Sequence, residues 1–310
     1  MEAERVEEDS LVAFRARLSF EPLFDSHRLA VAQGGSDSDV AALVVHGDGS
    51  EPGYFLYLLR DALLPACSLA AAPELPGGQA HPRLGACADS PEQCALPDVI
   101  LAAAFDRLRA GGFRKVLCVA ECLGAMMLAR HLETTDAARG LRVRFLGLTP
   151  LLVPWVAGPL PAQLRLAAAQ LGPWLLPAMR LDAVRLPAQS ACEAALCLLR
   201  LLGRRSFMGA PVPQVFSASA ATQLIAVVMA LMHWVEQVPI CQAPSCEAYF
   251  FAFGSKDTLV ATSAAVETAQ RRWRGCETIV VEAGHDLLRC RDPGAQLQVD
   301  GLLQRAARFP

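Results

Sequence analysis

Three residues with the chemistry of a nucleophilic acyl-transfer site occur along the chain in the order thiol, carboxylate, imidazole. Cys122 stands in the stretch AECLG, Asp257 in GSKD and His285 in AGHD. A thiolate attacks a carbonyl carbon, an imidazole takes a proton and returns it to the leaving group, and a carboxylate orients the imidazole and stabilises its cation. The sequence therefore predicts that Cys122, Asp257 and His285 form a catalytic triad.

Cys122 lies where a predicted strand meets a predicted helix. Residues 115–120 form a short apolar run typical of a buried parallel strand, and residues 123–132 are rich in good helix formers. A sharp turn between the two raises Cys122 above the carboxyl edge of the sheet, where the helix N-terminus favours negative charge. A lone cysteine at a strand end is more often a small buried apolar residue, so the prediction needs the other triad members.

The neighbours of Cys122 and a second loop, HGDG, complete the predicted site. The backbone amides of Leu123 and Asp48 are expected to form an oxyanion hole, because both follow strands that end at the same edge of the sheet. The substrate pocket is expected to be lined by His46, Gly47 and Glu121.

Each of these residues also has a purely structural interpretation. An aspartate at a strand end, such as Asp257, is often a helix N-cap, and His285 is compatible with a loop histidine that bonds a backbone carbonyl. His46 and Gly47 are compatible with a simple chain turn, and Glu121 with an exposed surface position. The order and spacing of the three strand-end groups favour the catalytic interpretation.

Apolar runs and helical patterns alternate through most of the sequence. The runs predicted to be strands are residues 41–45, 67–72, 115–120, 143–148, 249–253 and 278–281. Such alternation predicts parallel β-α-β units in a doubly wound sheet. Residues 12–20 and 28–32 are expected to add an antiparallel edge hairpin around a turn at residues 21–27, and residues 1–10 to form a frayed acidic arm.

The alternation is interrupted once. Residues 150–238 are broken by prolines and rich in leucine, which predicts a helical insertion after the sixth strand. The expected core therefore comprises residues 1–149 and 239–310. Residues 217–234 are mostly apolar, but polar side chains dilute them and no basic flank adjoins them, so they favour a buried helix over a membrane span.

The composition argues against several classes of function. The chain has 310 residues, of which 53% are hydrophobic and 19% charged, and its net charge of -3 without a basic block argues against a nucleic-acid partner. Its 11 cysteines include no C-x-x-C pair, which argues against a zinc site and a disulfide framework and indicates a reducing cytoplasm. No cofactor or metal motif is found, and residues 1–10 lack the apolar core of a secretory signal.

Several stretches of the sequence resemble the α/β-hydrolase superfamily. They are ALVVHGDG, APELPG, VAECLGAMMLARHL, FAFGSKDTLV and EAGHDLLRCRDP, and their order is most similar to the monoacylglycerol lipase and lysophospholipase-like branch. The resemblance implies an α/β-hydrolase fold, in which a mostly parallel, doubly wound sheet carries an inserted helical cap. It also implies that Asp257 and His285 are the acid and the base, and that residues 150–238 are a cap that shapes an acyl pocket.

The sequence departs from that family at the turn between strand and helix. Where the family has Gly and Ser, this chain has Ala120 and Cys122. Its AECLG stretch resembles the cysteine elbows of dienelactone hydrolases and polyhydroxyalkanoate synthases. The methyl group at residue 120 crowds a turn that favours glycine, and alanine is the smallest such intrusion.

Three functions are compatible with this pattern. The first is an acyl hydrolase that cleaves a small-molecule carboxylic ester or thioester with an apolar acyl part, as an esterase or lipase does. The second is an acyltransferase that uses the same acyl-enzyme, and the third is a non-catalytic binding protein of the same fold. The retained Asp257 and His285 argue against the third. Transient contact of the cap with a lipid surface is compatible with all three, and the oligomeric state is left open.

Overall fold

The computed structural model describes the sheet core of the chain. The described residues are 2–24, 27–36, 38–47, 51–75, 96–152, 206–207, 210–211, 246–257, 260–290 and 292–310. Most of the predicted cap, residues 150–238, lies outside them, and so does the predicted helix at residues 217–234. Within the described ranges, no helix is both long and apolar enough to cross a membrane.

Helices and strands alternate along the described chain. The helices are α1 (Glu2–Arg15), α2 (Pro52–Leu63), α3 (Leu96–Ala110), α4 (Cys122–Thr134), α5 (Thr262–Arg272) and α6 (Pro293–Ala307). The strands are β1 (Ser19–Phe24), β2 (His27–Gln33), β3 (Val40–Val45), β4 (Leu69–Pro73), β5 (Lys115–Glu121), β6 (Arg142–Leu148), β7 (Ser206–Phe207), β8 (Ala210–Pro211), β9 (Cys246–Gly254) and β10 (Glu277–Val281). Short 3₁₀ turns cover Leu64–Ala66 and Leu287–Arg289.

The main sheet has eight strands in the order β1-β2-β4-β3-β5-β6-β9-β10. β2 pairs antiparallel with β1 and with β4, and the pairs from β4–β3 across to β9–β10 are parallel. The prediction of a mostly parallel, doubly wound sheet is confirmed. Because β5 lies between β3 and β6, the loops of these strands surround its carboxyl end, where Cys122 follows.

The central strands are buried on both faces because their sequences are apolar without interruption. Alternate side chains of β3 and β5 enter two separate cores. Leu43 and Cys118 belong to the core that α3, α4 and α5 cover, whereas Val44 and Val119 belong to the core that α2 and α6 cover. Helices therefore cover both faces of the sheet and leave its carboxyl edge to the loops that carry the predicted site.

The N-terminal region differs from the expectation. Neither the frayed arm at residues 1–10 nor a strand starting at residue 12 is correct, because the chain is helical through Arg15 in α1. Phe14 is buried and packs edge-on against Tyr57 of α2, with ring centroids 5.8 Å apart. This tertiary contact selects a helix where the local pattern favours a strand. The antiparallel hairpin is confirmed, but β1 extends through residues that were predicted to turn.

A buried ion pair joins the end of α4 to the end of α5. Arg272 Nη2 donates to Glu133 Oε2 at 2.6 Å, and these side chains are only 5% and 3% exposed. Trp273 Nε1 donates to the second carboxylate oxygen at 2.8 Å. Since α4 begins at Cys122 and α5 follows the loop of Asp257, this contact ties together two elements that carry the predicted site.

We expect Glu133→Ala to lower the free energy of unfolding by about 3–5 kcal/mol, because removal of one partner from a buried pair leaves the other charge in a poorly solvated environment. Urea unfolding measures the loss. Arg139→Ala is the matched control, since the Arg139–Asp136 pair has side chains that are 82% and 84% exposed, and it should unfold as the wild type does. Equal stability of Glu133→Ala and the wild type would contradict the structural role of the pair.

Candidate active site

Cys122 occupies a strained turn between β5 and α4. β5 ends at Glu121 and α4 begins at Cys122 itself, whose φ of 49° lies in the left-handed region that glycine adopts most readily. The residue is buried, with 6% of its surface exposed. Backbone strain of this kind is concentrated at functional sites, and the turn has the strand-to-helix geometry that presents a nucleophile.

Two glycines allow the loop after β3 to approach this turn closely. A Cβ at Gly124 would lie 2.2 Å from the carbonyl oxygen of His46, and a Cβ at Gly47 would lie 3.3 Å from the Cβ of Cys122. A side chain at Gly124 is therefore excluded, because the obstacle is backbone that cannot rotate away. The loop thus faces the first turn of α4, where the amide of Leu123 is one of the helix N–H groups that lack an intrahelical acceptor.

His285 and Asp257 form a buried hydrogen-bonded pair. Nδ1 of His285 lies 2.7 Å from Oδ2 of Asp257, and their side chains are 2% and 0% exposed. The amide of Val260 donates to Oδ1 of Asp257 at 3.0 Å. The contact between His285 and the carboxylate of Asp257 assigns a proton to Nδ1 and leaves Nε2 for another partner. The N-cap of α5 is Ala261, so the structural interpretation of Asp257 as a helix N-cap is wrong.

The thiol of Cys122 and the imidazole of His285 interact electrostatically. Burial alone would lower the pKa of His285, but the charge of Cys122 and the hydrogen bond to Asp257 raise this pKa well above its ordinary value. The charge of Cys122 and a hydrogen-bonding contact with its thiol both raise this pKa, although Nε2 of His285 makes no well-formed hydrogen bond within the described ranges. The two acidic side chains thus outweigh the effect of burial on the imidazole.

The loops that carry the acid and the base are joined through their backbones. The amide of Lys256 donates to the carbonyl of Ala283 at 2.9 Å. A Cβ at Gly254 would lie 2.1 Å from the carbonyl oxygen of Gly284, so only glycine permits this approach. These contacts fix the distance between Asp257 in one loop and the histidine in the other.

Glu121, the last residue of β5, is buried and not exposed as one interpretation of the sequence had it. It is 4% exposed, and burial raises its pKa to about 7. The charges of His285 and Arg289 and a hydrogen bond from the backbone of Gly47 oppose that rise, whereas Asp286 adds to it. The carboxyl group of Glu121, with a pKa of about 7, therefore adjoins the turn at Cys122. Its place in the substrate pocket stays a prediction.

His46 is buried directly after β3. Its Nδ1 donates to the carbonyl oxygen of Gly47 at 2.8 Å, and burial lowers the pKa of the ring against the opposing effects of that carbonyl and of Glu74. Its Nε2 is buried without a hydrogen-bond partner in the described part of the chain. Asp48, the second predicted oxyanion donor, lies outside the described residues, and its assignment stays a prediction.

Thr149 belongs to the same neighbourhood, although the sequence pattern does not indicate it. The residue follows β6, is 0% exposed and has a φ of 41°. Its hydroxyl donates to the carbonyl oxygen of His285 at 3.0 Å, and its amide donates to that of Ala252 at 2.8 Å. The only signal in the sequence is its position just before Pro150, where the strand–helix alternation stops.

Comparison with protein-family profiles and with curated proteins finds no match to this sequence. Solved structures do match. A soluble variant of the monoglyceride lipase from Saccharomyces cerevisiae, in complex with a substrate analogue, has a TM-score of 0.61 and 12% identity, and the match covers 94% of this chain and 95% of that chain.

Two further solved structures extend this likeness. The monoacylglycerol lipase of Paleococcus ferrophilus has a TM-score of 0.54 and 15% identity, and the match covers 90% of this chain and 99% of that chain. An esterase of Pyrococcus furiosus has a TM-score of 0.54 and 12% identity, with 97% and 94% covered. At these identities the likeness establishes the fold: the chain has the α/β-hydrolase fold, and proteins similar to it in structure cleave ester bonds.

We expect Cys122→Gly to be about 0.5–1 kcal/mol more stable than Cys122→Ala, because glycine removes the cost of a left-handed backbone while both variants lose the thiol. Ala125→Gly, three residues further along α4, is the control. There glycine should destabilise the protein by a similar amount, since this position is an ordinary helical one. Thermal or urea unfolding tests both differences, and a less stable Cys122→Gly would contradict strain at the turn.

We expect the pKa of His285 to fall in both Asp257→Asn and Cys122→Ala, because each change removes a negative group that raises it. NMR titration of the imidazole resonances, assigned with a His285→Gln variant, measures the shift. Glu282→Gln is the control, since this exposed residue pairs with Lys256 instead. An unchanged titration in both site variants would contradict the electrostatic coupling.

The same titration has a consequence for stability. Because the folded-state pKa of His285 lies above the ordinary value of 6.5, the folded protein binds this proton more tightly than the unfolded chain does. The stabilisation is therefore complete below that ordinary value and is lost as the pH rises through the raised one.

Proposed function

We propose that the protein is an acyl hydrolase that forms a covalent acyl-enzyme on Cys122. The observation that carries the proposal is the placement of a strained, buried thiol at a helix N-terminus beside the buried His285–Asp257 pair. A left-handed cysteine costs stability, and backbone strain of this kind is concentrated at functional sites. The lipases and esterases that share the fold support ester cleavage as the reaction.

The proposed reaction begins when the thiolate of Cys122 attacks the carbonyl carbon of the substrate. A carbon–sulfur bond forms, and the carbonyl oxygen becomes an oxyanion that the amides of Leu123 and Asp48 bind. The imidazolium of His285 gives its Nε2 proton to the leaving oxygen or sulfur, the bond to the leaving group breaks, and the acyl group remains on sulfur as a thioester. His285 is then neutral, with Nδ1 still held by Asp257.

Water completes the cycle. Nε2 of His285 takes a proton from water while the water oxygen attacks the acyl carbon, and the carbon–sulfur bond breaks. The carboxylic acid leaves, and the pair of thiolate and imidazolium is restored. Asp257 keeps its charge throughout and stabilises the cation at the start and the end of the cycle.

Sulfur as the nucleophile sets a preference among substrates. The tetrahedral intermediate expels the group of lower pKa more readily, and a thiol has a pKa of about 8.5, whereas the pKa of an alcohol is far higher and close to that of water. The tetrahedral intermediate of an alkyl ester therefore expels the thiolate of Cys122 and returns to the starting ester, unless His285 first protonates the oxygen of the leaving alcohol. Thioesters and aryl esters, whose leaving groups have pKa values of about 8.5–10, avoid that return, so the proposed substrates are of these kinds.

Residues 150–238 are proposed to form a cap over this site. They are rich in leucine and leave the sheet directly after β6, at the edge where Cys122 lies. A cap at this place supplies an apolar wall for the acyl chain, excludes water from the acyl-enzyme during its formation, and offers an apolar surface to lipids. Residues 1–149 and 239–310 then form the core of a cytoplasmic enzyme, in keeping with a cysteine pattern that includes no C-x-x-C pair.

We expect the wild type to hydrolyse S-butyryl-N-acetylcysteamine and p-nitrophenyl butyrate at least about 10-fold faster, in kcat/KM, than ethyl butyrate. Cys122→Ala should lose at least about 10³-fold in turnover while it stays folded. Cys122→Ser should lose the preference for the thioester, because the leaving-group argument applies to a sulfur nucleophile. Thiol release, nitrophenolate absorbance and pH-stat titration follow the three substrates.

Cys276→Ala is the matched control, since Cys276 is a partly exposed thiol just before β10, at the opposite edge of the sheet. It should retain wild-type rates. Wild-type turnover by Cys122→Ala, or no turnover of any of these substrates, would contradict the proposed function. Transfer of the acyl group to an added alcohol, with no carboxylic acid released in its absence, would identify an acyltransferase instead.

A further inference from the structure

Thr149 has a backbone conformation that its side chain disfavours. Its φ of 41° lies in the left-handed region, where a β-branched residue is an outlier. It is one of two non-glycine residues with a positive φ in the described part of the chain, and the other is Cys122. Such a conformation persists only where the surrounding contacts determine it, and outliers of this kind point to function.

Two hydrogen bonds hold Thr149 across the sheet. Its amide donates to the carbonyl of Ala252 in β9 at 2.8 Å, and its hydroxyl donates to the carbonyl of His285 at 3.0 Å. β9 lies between β6 and β10 in the sheet. The side chain at the end of β6 therefore reaches past one strand to the loop that follows the next one, and it is fully buried there.

The carbonyl of His285 receives a second donor, the amide of Leu287 at 3.1 Å. Two donors on one carbonyl fix the orientation of the peptide, and the direction of the imidazole follows from its own backbone. We infer that Thr149 is a positioning residue for His285. The hydroxyl of Thr149 holds the imidazole of His285 in line between Asp257 and Cys122. This inference rests on the proposed catalytic role of His285.

The charges around His285 make the inference testable. Cys122, Asp257 and Glu121 interact electrostatically with the imidazole, whereas Thr149 carries no charge. The substitution Thr149→Val keeps the shape and the β-branch and removes only the hydroxyl. A change in the titration of His285 in this variant therefore reports movement of the imidazole relative to its charged partners.

The experiment compares the wild type with Thr149→Val and Thr149→Ser. In Thr149→Val we expect the pKa of His285, followed by NMR, to fall toward the ordinary histidine value, and kcat for the butyryl thioester to fall about 10- to 100-fold with little change in KM, because misplacement of a catalytic group acts on the chemical step. Thr149→Ser retains the donor and should restore both the titration and kcat.

Thr268→Val is the matched control, since Thr268 is a buried threonine of α5 without a hydrogen bond to His285, and it should leave the titration unchanged. If Thr149→Val does not fold, Thr149→Ala replaces it in the comparison with Thr149→Ser. A folded variant without the hydroxyl that titrates as the wild type does, or a serine variant as impaired as valine, would overturn the inference. If the wild type cleaves no ester or thioester, the proposed function fails, while the NMR titration still decides the role of Thr149.

Discussion

The left-handed turn at Cys122 is a backbone geometry that an L-amino acid does not adopt unaided, and much of the surrounding structure maintains it. β5 is paired with β3 and β6 along its length, which fixes the residue before the turn. Gly124 lets the loop after β3 press against the start of α4, and the buried pair of Glu133 and Arg272 anchors the other end of that helix. These contacts hold the elements on both sides of the turn in place.

The second determinant of the site is the exclusion of water from a group of ionisable side chains. Three acidic groups, Cys122, Asp257 and Glu121, act on a single imidazole, that of His285. The pKa of His285 rises because negative partners outweigh its burial, whereas the pKa of Glu121 rises because its own burial dominates. Burial therefore acts in opposite senses on the two groups: it is outweighed at the imidazole and prevails at Glu121.

A thiol in place of a hydroxyl changes what the imidazole has to do. A serine nucleophile needs a histidine to remove its proton before it attacks, whereas in the reaction proposed for Cys122 the thiolate is already nucleophilic and the imidazolium of His285 protonates the leaving group. The electrostatic interaction between Cys122 and His285 is in keeping with the second arrangement. One fold can host different chemistries, because the reaction depends on the residues placed at the carboxyl edge of the sheet.

The sequence by itself determined the alternation of strands and helices, the mostly parallel sheet, and the strand-end positions of Cys122, Asp257 and His285. Each of these depends on short apolar runs and on motifs of a few residues, which local patterns record. The N-terminal helix was missed because the packing of Phe14 against Tyr57 joins elements that are distant in the sequence.

Only the tertiary structure decided the rest: the left-handed backbone of Cys122, the burial of Glu121 and the hydrogen bond from Thr149. Thr149 and His285 are 136 residues apart in the sequence. They meet because β6 and β10 both lie beside β9 in the sheet, so their ends are separated by a single strand. Strand order of this kind is set by packing over the whole molecule, and no local pattern of residues records it.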